Sequence, residues 1–505
     1  MSAQQATGAD HVDVAIVGAG FAGLGLATLL ARRGRESFVV LERADAVGGT
    51  WRDNTYPGIA CDIPAHLYSF SFRPPGDWSR LFPAGADIRD YLQRTVDEEG
   101  LAEHLELGCE LLCARWEATP DGGHWQLSTS GGPLCASTLV LAVGRLSEPR
   151  MPAVEGLADF HGEVVHTATW RDDLLIDGAR VGVVGSGASA VQIIPGLAER
   201  AAELVVFSRT PPYVVPRGDR AYTDAERADL RVPAHADSLR EQLLHDADKA
   251  FGQRLRRHPD IDEIRARASD HLHAQIPDPD LRAALSPDYE IGCKRILLSD
   301  DYYPALMRDN VIFEPSALVS VSEHKATAAS GHAYEVDTLV MATGFEATAP
   351  PAATRIRGRD GELLAQHWSQ GMVSYASTVV HGFPNMFVLD GPNAALGHNS
   401  AIYMIETQLD YVLGALDHLA QSGCGTLEVT AQAEADYTAE IDERSASTVW
   451  LTGCESWYVD PRSGRLTLLW PGTAESFRRR NGHFDAAPFM TARDDEQTTG
   501  EESGR

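Results

Sequence analysis

The sequence has no apolar run of 18 or more residues, so no segment of it is expected to cross a bilayer as a helix. Its first residues, MSAQQATGADHVD, have neither a basic start nor an apolar core, and no secretory signal is expected there. Lysine is nearly missing: Lys249, Lys294 and Lys325 are all there is, and every other basic residue is Arg. Basic residues are also outnumbered, 43 against 72 acidic ones, for a net charge of −29. A surface of that sign repels phosphate backbones and argues against a nucleic-acid partner. Cysteine is sparse and scattered, at positions 61, 109, 113, 135, 293, 424 and 454. An odd number without a regular framework predicts free thiols in a reducing, cytoplasmic compartment. Cys109 and Cys113 lie too far apart for a redox dithiol and are expected only to pack. No His–Cys cluster has ligand spacing, so no metal is expected.

What remains is an ordinary globular composition, 44% hydrophobic and 23% charged over 505 residues. That length corresponds to about three domains or subdomains. Near the start, VDVAIVGAGFAGLGLATLLARRG reads as a buried strand from Val12 to Val17, a tight turn, and a helix. Gly18 permits the turn, Gly20 lets a pyrophosphate approach the backbone, and Gly23 lets the helix pack on the strand. Phe21 and Ala22 open the helix, whose free N–H groups would face the phosphates. The next strand, SFVVLE, ends at Glu42, which can accept hydrogen bonds from a ribose, with Arg43 beside it.

A second copy follows in RVGVVGSGASAVQ, with Gly185, Ser186, Gly187, Ala188, Ser189 and Ala190 in the turn and helix start. Its following strand ends at Ser208-Arg209-Thr210 rather than at an acid. A guanidinium there would pair with a 2′-phosphate that a carboxylate would repel; the alternative is a solvated strand-end charge. The first site therefore reads as an unphosphorylated ribose and the second as NADPH. Two dinucleotide sites in one chain point to FAD plus NADPH, an electron-transferring flavoprotein.

The fold expected is α/β: two Rossmann-like dinucleotide-binding domains with a helical insertion. LVLAVGR (139–145) and LVMATGF (339–345) each read as a strand closing one nucleotide-binding unit. Residues 220–290 turn charged and helix-periodic, as a lid or simply as a surface subdomain. The layout is a flexible end (1–11), a first FAD-binding part (12–150) and a first NADPH-binding part (151–219). The insertion (220–290) follows, then a second NADPH-binding part (291–370), a second FAD-binding part (371–490) and a flexible acidic tail (491–505).

Two further motifs narrow the class. Gly48-Gly49-Thr50-Trp51 is followed by Tyr56-Pro57-Gly58 and Asp62, with no Cys pair of the kind disulfide reductases carry there. Phe160, Gly162, His166 and Trp170 stand just before the second glycine-rich turn. In these motifs the sequence resembles the Baeyer–Villiger monooxygenases, within the class B flavin monooxygenases. The likeness runs over roughly residues 10–480. One departure is Arg171, which intervenes between Trp170 and Asp172.

The resemblance implies an NADPH-dependent FAD enzyme. It would insert one oxygen atom of dioxygen beside a ketone carbonyl through a flavin peroxide, giving an ester or lactone. It implies Arg295 as the cation beside that peroxide and Asp62 as its acidic partner. An Arg remains charged at any working pH and can hold an oxyanion. Lys294 would join Arg209 on the 2′-phosphate. Gly49, Thr50, Trp51 and Tyr68 are expected to join the FAD-binding residues, with Trp51 and Tyr68 stacking on or lining the flavin. Phe160, Gly162, His166 and Trp170 are a family fingerprint, and His166 is read as structural rather than catalytic. The partners implied are a small ketone and dioxygen, for a monomer or small homo-oligomer. Three rivals share the fingerprints: a monooxygenase that oxidises nitrogen or sulfur, an NADPH oxidase, and a flavin-binding sensor without turnover.

Overall fold

The computed structural model describes residues 10–74, 77–120, 122–452 and 454–490. Of the ends expected to be flexible, 1–11 and 491–505, residues 1–9 and 491–505 lie outside them, and Asp10 and His11 belong to a strand. The first sheet has eight strands. At its centre Asp10–Val17 runs parallel to Phe38–Glu42 on one side and to Gly132–Leu141 on the other. Ala15 and Ile16 are fully buried, because helices cover one face and the rest of the chain covers the other. A strand covered on both faces reads as a continuous apolar run, which is how Val12–Val17 appears in the sequence. The strand starts earlier than expected, at Asp10. Gly132–Leu141 is long enough to pair with Asp10 and His11 as well, through Leu134 and Cys135.

The antiparallel strands Leu111–Thr119 and Gly122–Thr129 extend this sheet, with Trp116 and Trp125 packed edge to face at 5.6 Å. The chain leaves for a second sheet and comes back twice. Ile356–Arg357 pairs with Leu111–Thr119, and Met386–Val388 pairs with the end of Gly132–Leu141. The return therefore falls before Ile356 rather than at 371, since two short backbone pairings suffice to anchor it.

The second sheet has five parallel strands, in the order Val311–Glu314, Glu203–Phe207, Arg180–Val184, Thr338–Met341, Glu163–His166. Helix Ala188–Arg200 covers it through Ile193, Ile194 and Leu197. Each sheet is thus a strand–turn–helix unit repeated in space as it is in the sequence.

The insertion is helical, as its periodicity predicts: Asp224–Asp229, Pro233–Lys249, Asp260–Gln275 and Pro279–Ala284. The first carries a capping box between Thr223 and Glu226. The insertion is not a detached surface unit. Ile261, Ile264 and Ala268 join the core beneath the first sheet, and Leu272 joins that of the second. Arg240 donates to the carbonyls of Ser69 (2.6 Å) and His66 (3.1 Å) and pairs with Glu406 at 3.2 Å.

The expectation of unpaired cysteines is overturned. Cys293 and Cys454, separated by 161 residues, form a disulfide. Spacing in sequence could not reveal it, because the loops carrying the two residues meet only in the folded chain.

Candidate active site

Both glycine-rich turns open onto one cavity of about 1080 Å³. In the first turn Gly18 has φ +108°, and a Cβ there would stand 2.5 Å from the Ala142 carbonyl oxygen. Gly185 repeats this at φ +133°, beneath the carbonyl of Ala342. Each first glycine therefore lets its turn tuck under the end of the neighbouring strand, where LVLAVGR and LVMATGF stop. The helices that follow start at Gly20 and Gly187, and neither N-terminus has a side-chain cap. Their first N–H groups are left for a ligand, a cradle that fits a dinucleotide pyrophosphate.

Gly18, Gly20, Phe21, Ala22, Glu42, Arg43, Gly49, Thr50, Trp51, Asp62 and Tyr68 all line the cavity. Gly23 does not; it lies inside the turn, where a side chain would strike the Gly18 carbonyl. Glu42 has a second task. Its carboxylate accepts from the backbone N–H groups of Ala19 (2.9 Å) and Ala44 (3.0 Å) and pairs with Arg52 at 2.9 Å, bracing the turn. The Trp51 indole donates to the Tyr68 hydroxyl at 3.3 Å, with the rings edge to face.

On the other side Gly185, Ser186, Gly187, Ala188, Ser189, Arg209, Thr210 and Lys294 line the same cavity. Ala190 is fully buried and packs the helix on its sheet. The Ser186 hydroxyl donates to the Thr210 carbonyl at 2.6 Å, tying the turn to the strand end that carries Arg209. Lys294 holds its ammonium 4.8 Å above the Tyr289 ring. Its pKa is lowered by burial and by the nearby charge of Arg209. Glu455 and Asp288 act on Lys294 in the opposite sense, but less than burial and Arg209 do, and two cations so placed fit a phosphate.

The loop from Gly48 to Asp62 joins the two sides. The Tyr56 hydroxyl donates to the Gln192 side-chain oxygen at 3.1 Å, and Gln192 donates to the Ala60 carbonyl at 2.8 Å. Burial pushes the Tyr56 phenol up to about 12, so it stays a donor. This docking carries Asp62 to Arg295. The guanidinium donates from Nε to Asp62 Oδ2 at 2.8 Å, and its Nη2 lies 2.6 Å from the same oxygen. Both residues stand on the cavity wall. The Asp62 charge raises the Arg295 pKa above its ordinary value and outweighs burial, so the cation is permanent.

Phe160, Gly162, His166 and Trp170 are not part of the cavity wall. His166 ends the edge strand Glu163–His166, accepts from the Ala168 N–H at 3.1 Å through Nδ1, and packs edge to face on Phe345 at 5.7 Å. Phe345 bridges to Pro149, where the two segments joining the sheets cross. His166 thus packs beside that junction. Asn393 donates to the carbonyls of Leu466 and Leu469 and is occupied there.

Several cavity residues escaped the sequence reading. Arg145 forms an ion pair with Asp390, and both line the cavity. A signal was available, since Arg145 follows the carboxyl end of a parallel strand, where such sheets form their ligand crevices. Glu455, Trp457 and Tyr458 also line it. They come from an irregular segment far along the chain, and no local pattern marks them.

A family model for an NAD(P)-binding Rossmann-like domain matches residues 16–83. A Baeyer–Villiger monooxygenase of Streptomyces coelicolor is 44% identical over 487 residues, covering 96% of this chain and 93% of the relative. Among solved structures, the closed form of a cyclohexanone monooxygenase superposes with a TM-score of 0.84 at 28% identity, covering 94% of this chain and 97% of that one. OTEMO in complex with FAD and NADP gives 0.84 at 26% identity, with the same coverage.

Proposed function

Because the chain belongs to the Baeyer–Villiger monooxygenase family, we propose that it uses FAD and NADPH to insert one oxygen atom of dioxygen beside a ketone carbonyl, giving an ester or lactone. FAD is assigned to the Gly18–Gly23 turn and the first sheet, and NADPH to the Gly185–Ala190 turn and the second. Bound FAD, reduced by NADPH, supplies the activated oxygen.

The protein's residues supply position and charge. The uncapped N-termini at Gly20 and Gly187 bind the pyrophosphates. Glu42, already bracing its turn, keeps acceptor capacity for a ribose hydroxyl. Arg209 and Lys294 hold the 2′-phosphate and select NADPH over NADH. Trp51 and Tyr68 line the flavin's side of the cavity. Arg295 offers N–H donors and a fixed charge to oxygen where negative charge develops, and Asp62 orients the guanidinium. The observation that carries the reading is the Arg295–Asp62 pair on a wall shared by both glycine-rich turns.

No helix among the described residues is long and apolar enough to cross a membrane. We take the working enzyme to be cytoplasmic, a monomer or small homo-oligomer. The test is a panel of linear, cyclic, aromatic and polycyclic ketones plus a thioether, with FAD-loaded protein, NADPH and oxygen. Ester or lactone from at least one ketone is expected. Sulfoxide with no ester from any ketone would overturn the reading, as would NADPH loss that yields only hydrogen peroxide.

A further inference from the structure

We propose that Cys293 and Cys454 are a reversible thiol–disulfide site that controls how tightly the wall around Arg295 is closed. The proposal rests on the monooxygenase reading and goes beyond it by naming a control point. Cys293 immediately precedes Lys294 and Arg295. Cys454 immediately precedes Glu455, with Trp457 and Tyr458 close behind. All five of these neighbours line the cavity. The bridge therefore joins two stretches of cavity wall that are 161 residues apart in the chain.

A second tie runs alongside it: the Ser456 hydroxyl donates to the Cys293 carbonyl at 2.9 Å. Neither stretch is held by regular structure at this point. Cys293 lies between the helix Pro279–Ala284 and the two-residue strand Leu297–Leu298, and Cys454 follows the single turn Val449–Leu451. Tyr458 is buried against Trp450, whereas Trp457 is 43% exposed. Without the sulfur bridge, the two loops keep one neutral hydrogen bond, with which water competes, and the apolar packing of Ile291 and Ile296 with Val449, Trp450 and Tyr458.

Cys293 is fully buried and Cys454 half-buried, so Cys454 is the half of the bridge nearer to a thiolate from solution. Attack there forms a mixed disulfide on Cys454 and releases Cys293 as a thiolate. A second external thiol then displaces Cys454, so two external thiols become one disulfide and two cysteine thiols are produced. Oxidation runs the same exchange backwards with a small-molecule disulfide such as oxidised glutathione. Disulfides in a reducing compartment are usually transient, which fits a switch better than a permanent staple.

Closed, the bridge holds the segment of Tyr458 and Trp457 beside the Lys294–Arg295 segment and excludes water from the place where oxygen is activated. Opened, Arg295 keeps Asp62 but loses the wall opposite, so oxygen that is reduced but not inserted leaves as hydrogen peroxide.

The experiment uses FAD-loaded enzyme, either untreated or reduced and then desalted anaerobically. Differential alkylation and mass spectrometry follow Cys293 and Cys454. Ester and hydrogen peroxide are counted per NADPH, and broad-specificity proteolysis is mapped at residues 452–458. Reduction should lower ester per NADPH by about threefold or more, raise peroxide and speed cleavage at 452–458, through loss of water exclusion. Oxidised glutathione should restore all three. Cys454→Ala should behave as the reduced enzyme and ignore both reagents. Coupling that does not change when the bridge is demonstrably reduced would overturn the proposal, as would alkylation showing both thiols free in the untreated enzyme. The wild-type arm decides this even if the variant does not fold. Ester formation by untreated enzyme tests the monooxygenase reading separately.

Discussion

Arg295 lines the cavity with its charge secured by Asp62. Removing one preorganised donor from an oxyanion site typically costs about 100-fold or more. Arg295→Ala should therefore reduce ester formation by about that factor while NADPH still bleaches the flavin, which rapid-mixing absorbance would separate from product analysis. Full ester yield would take Arg295 out of the reaction. Arg209 and Lys294 line the same cavity, near enough for the Arg209 charge to lower the Lys294 pKa. Charge-assisted hydrogen bonds of about 1.5–3 kcal/mol imply that Arg209→Ala narrows the NADPH over NADH preference by about 10- to 100-fold in kcat/KM. An unchanged preference would remove Arg209 from phosphate recognition.

At the scale of elements, the first glycine-rich turn works by backbone proximity rather than by side chains. Gly18 combines a left-handed φ with the Ala142 carbonyl lying 2.5 Å from where a Cβ would stand. Gly18→Ala should displace the turn from the strand end, and the protein should purify with little or no bound flavin, read as visible flavin absorbance per chain far below that of an equimolar free-FAD standard. The insertion's docking has its own signature. His66 is buried beside Arg240, and burial first, then the Arg240 charge, pushes its pKa from 6.5 down to about 4. Between those values the unfolded chain binds a proton at this site and the folded chain does not. Stability should thus fall as pH drops from 6.5 to 4, by about 3 kcal/mol across the window. His66→Gln should flatten the pH dependence of the melting temperature there, and an unchanged slope would assign the acid sensitivity elsewhere.

On the scale of the whole molecule, two sheets and an insertion share one cavity, and covalent chemistry joins distant parts of its wall. A cross-link between residues 161 apart restricts the unfolded chain by about 5 kcal/mol in the chain-entropy account. Reduction should lower the Tm of the FAD-loaded enzyme whatever it does to coupling, as calorimetry would record. An equal Tm in both redox states would mean that the reduced loops find compensating contacts.

The two nucleotide-binding turns were legible in the sequence because their chemistry is local. A strand, a glycine spacing and a helix start all lie within about 15 residues, and backbone sterics leave few alternatives. The insertion's helices were legible for the same reason, through their 3.6-residue period. Arg295 and Asp62 entered only through resemblance, since nothing local says that residues so far apart will meet. Tertiary structure alone brought Tyr56 to Gln192, Arg145 to Asp390, Cys293 to Cys454 and Tyr458 to the cavity. Such contacts depend on how two sheets dock and on where irregular loops come to rest. Those outcomes are decided by the packing of the whole core, which no window of sequence contains.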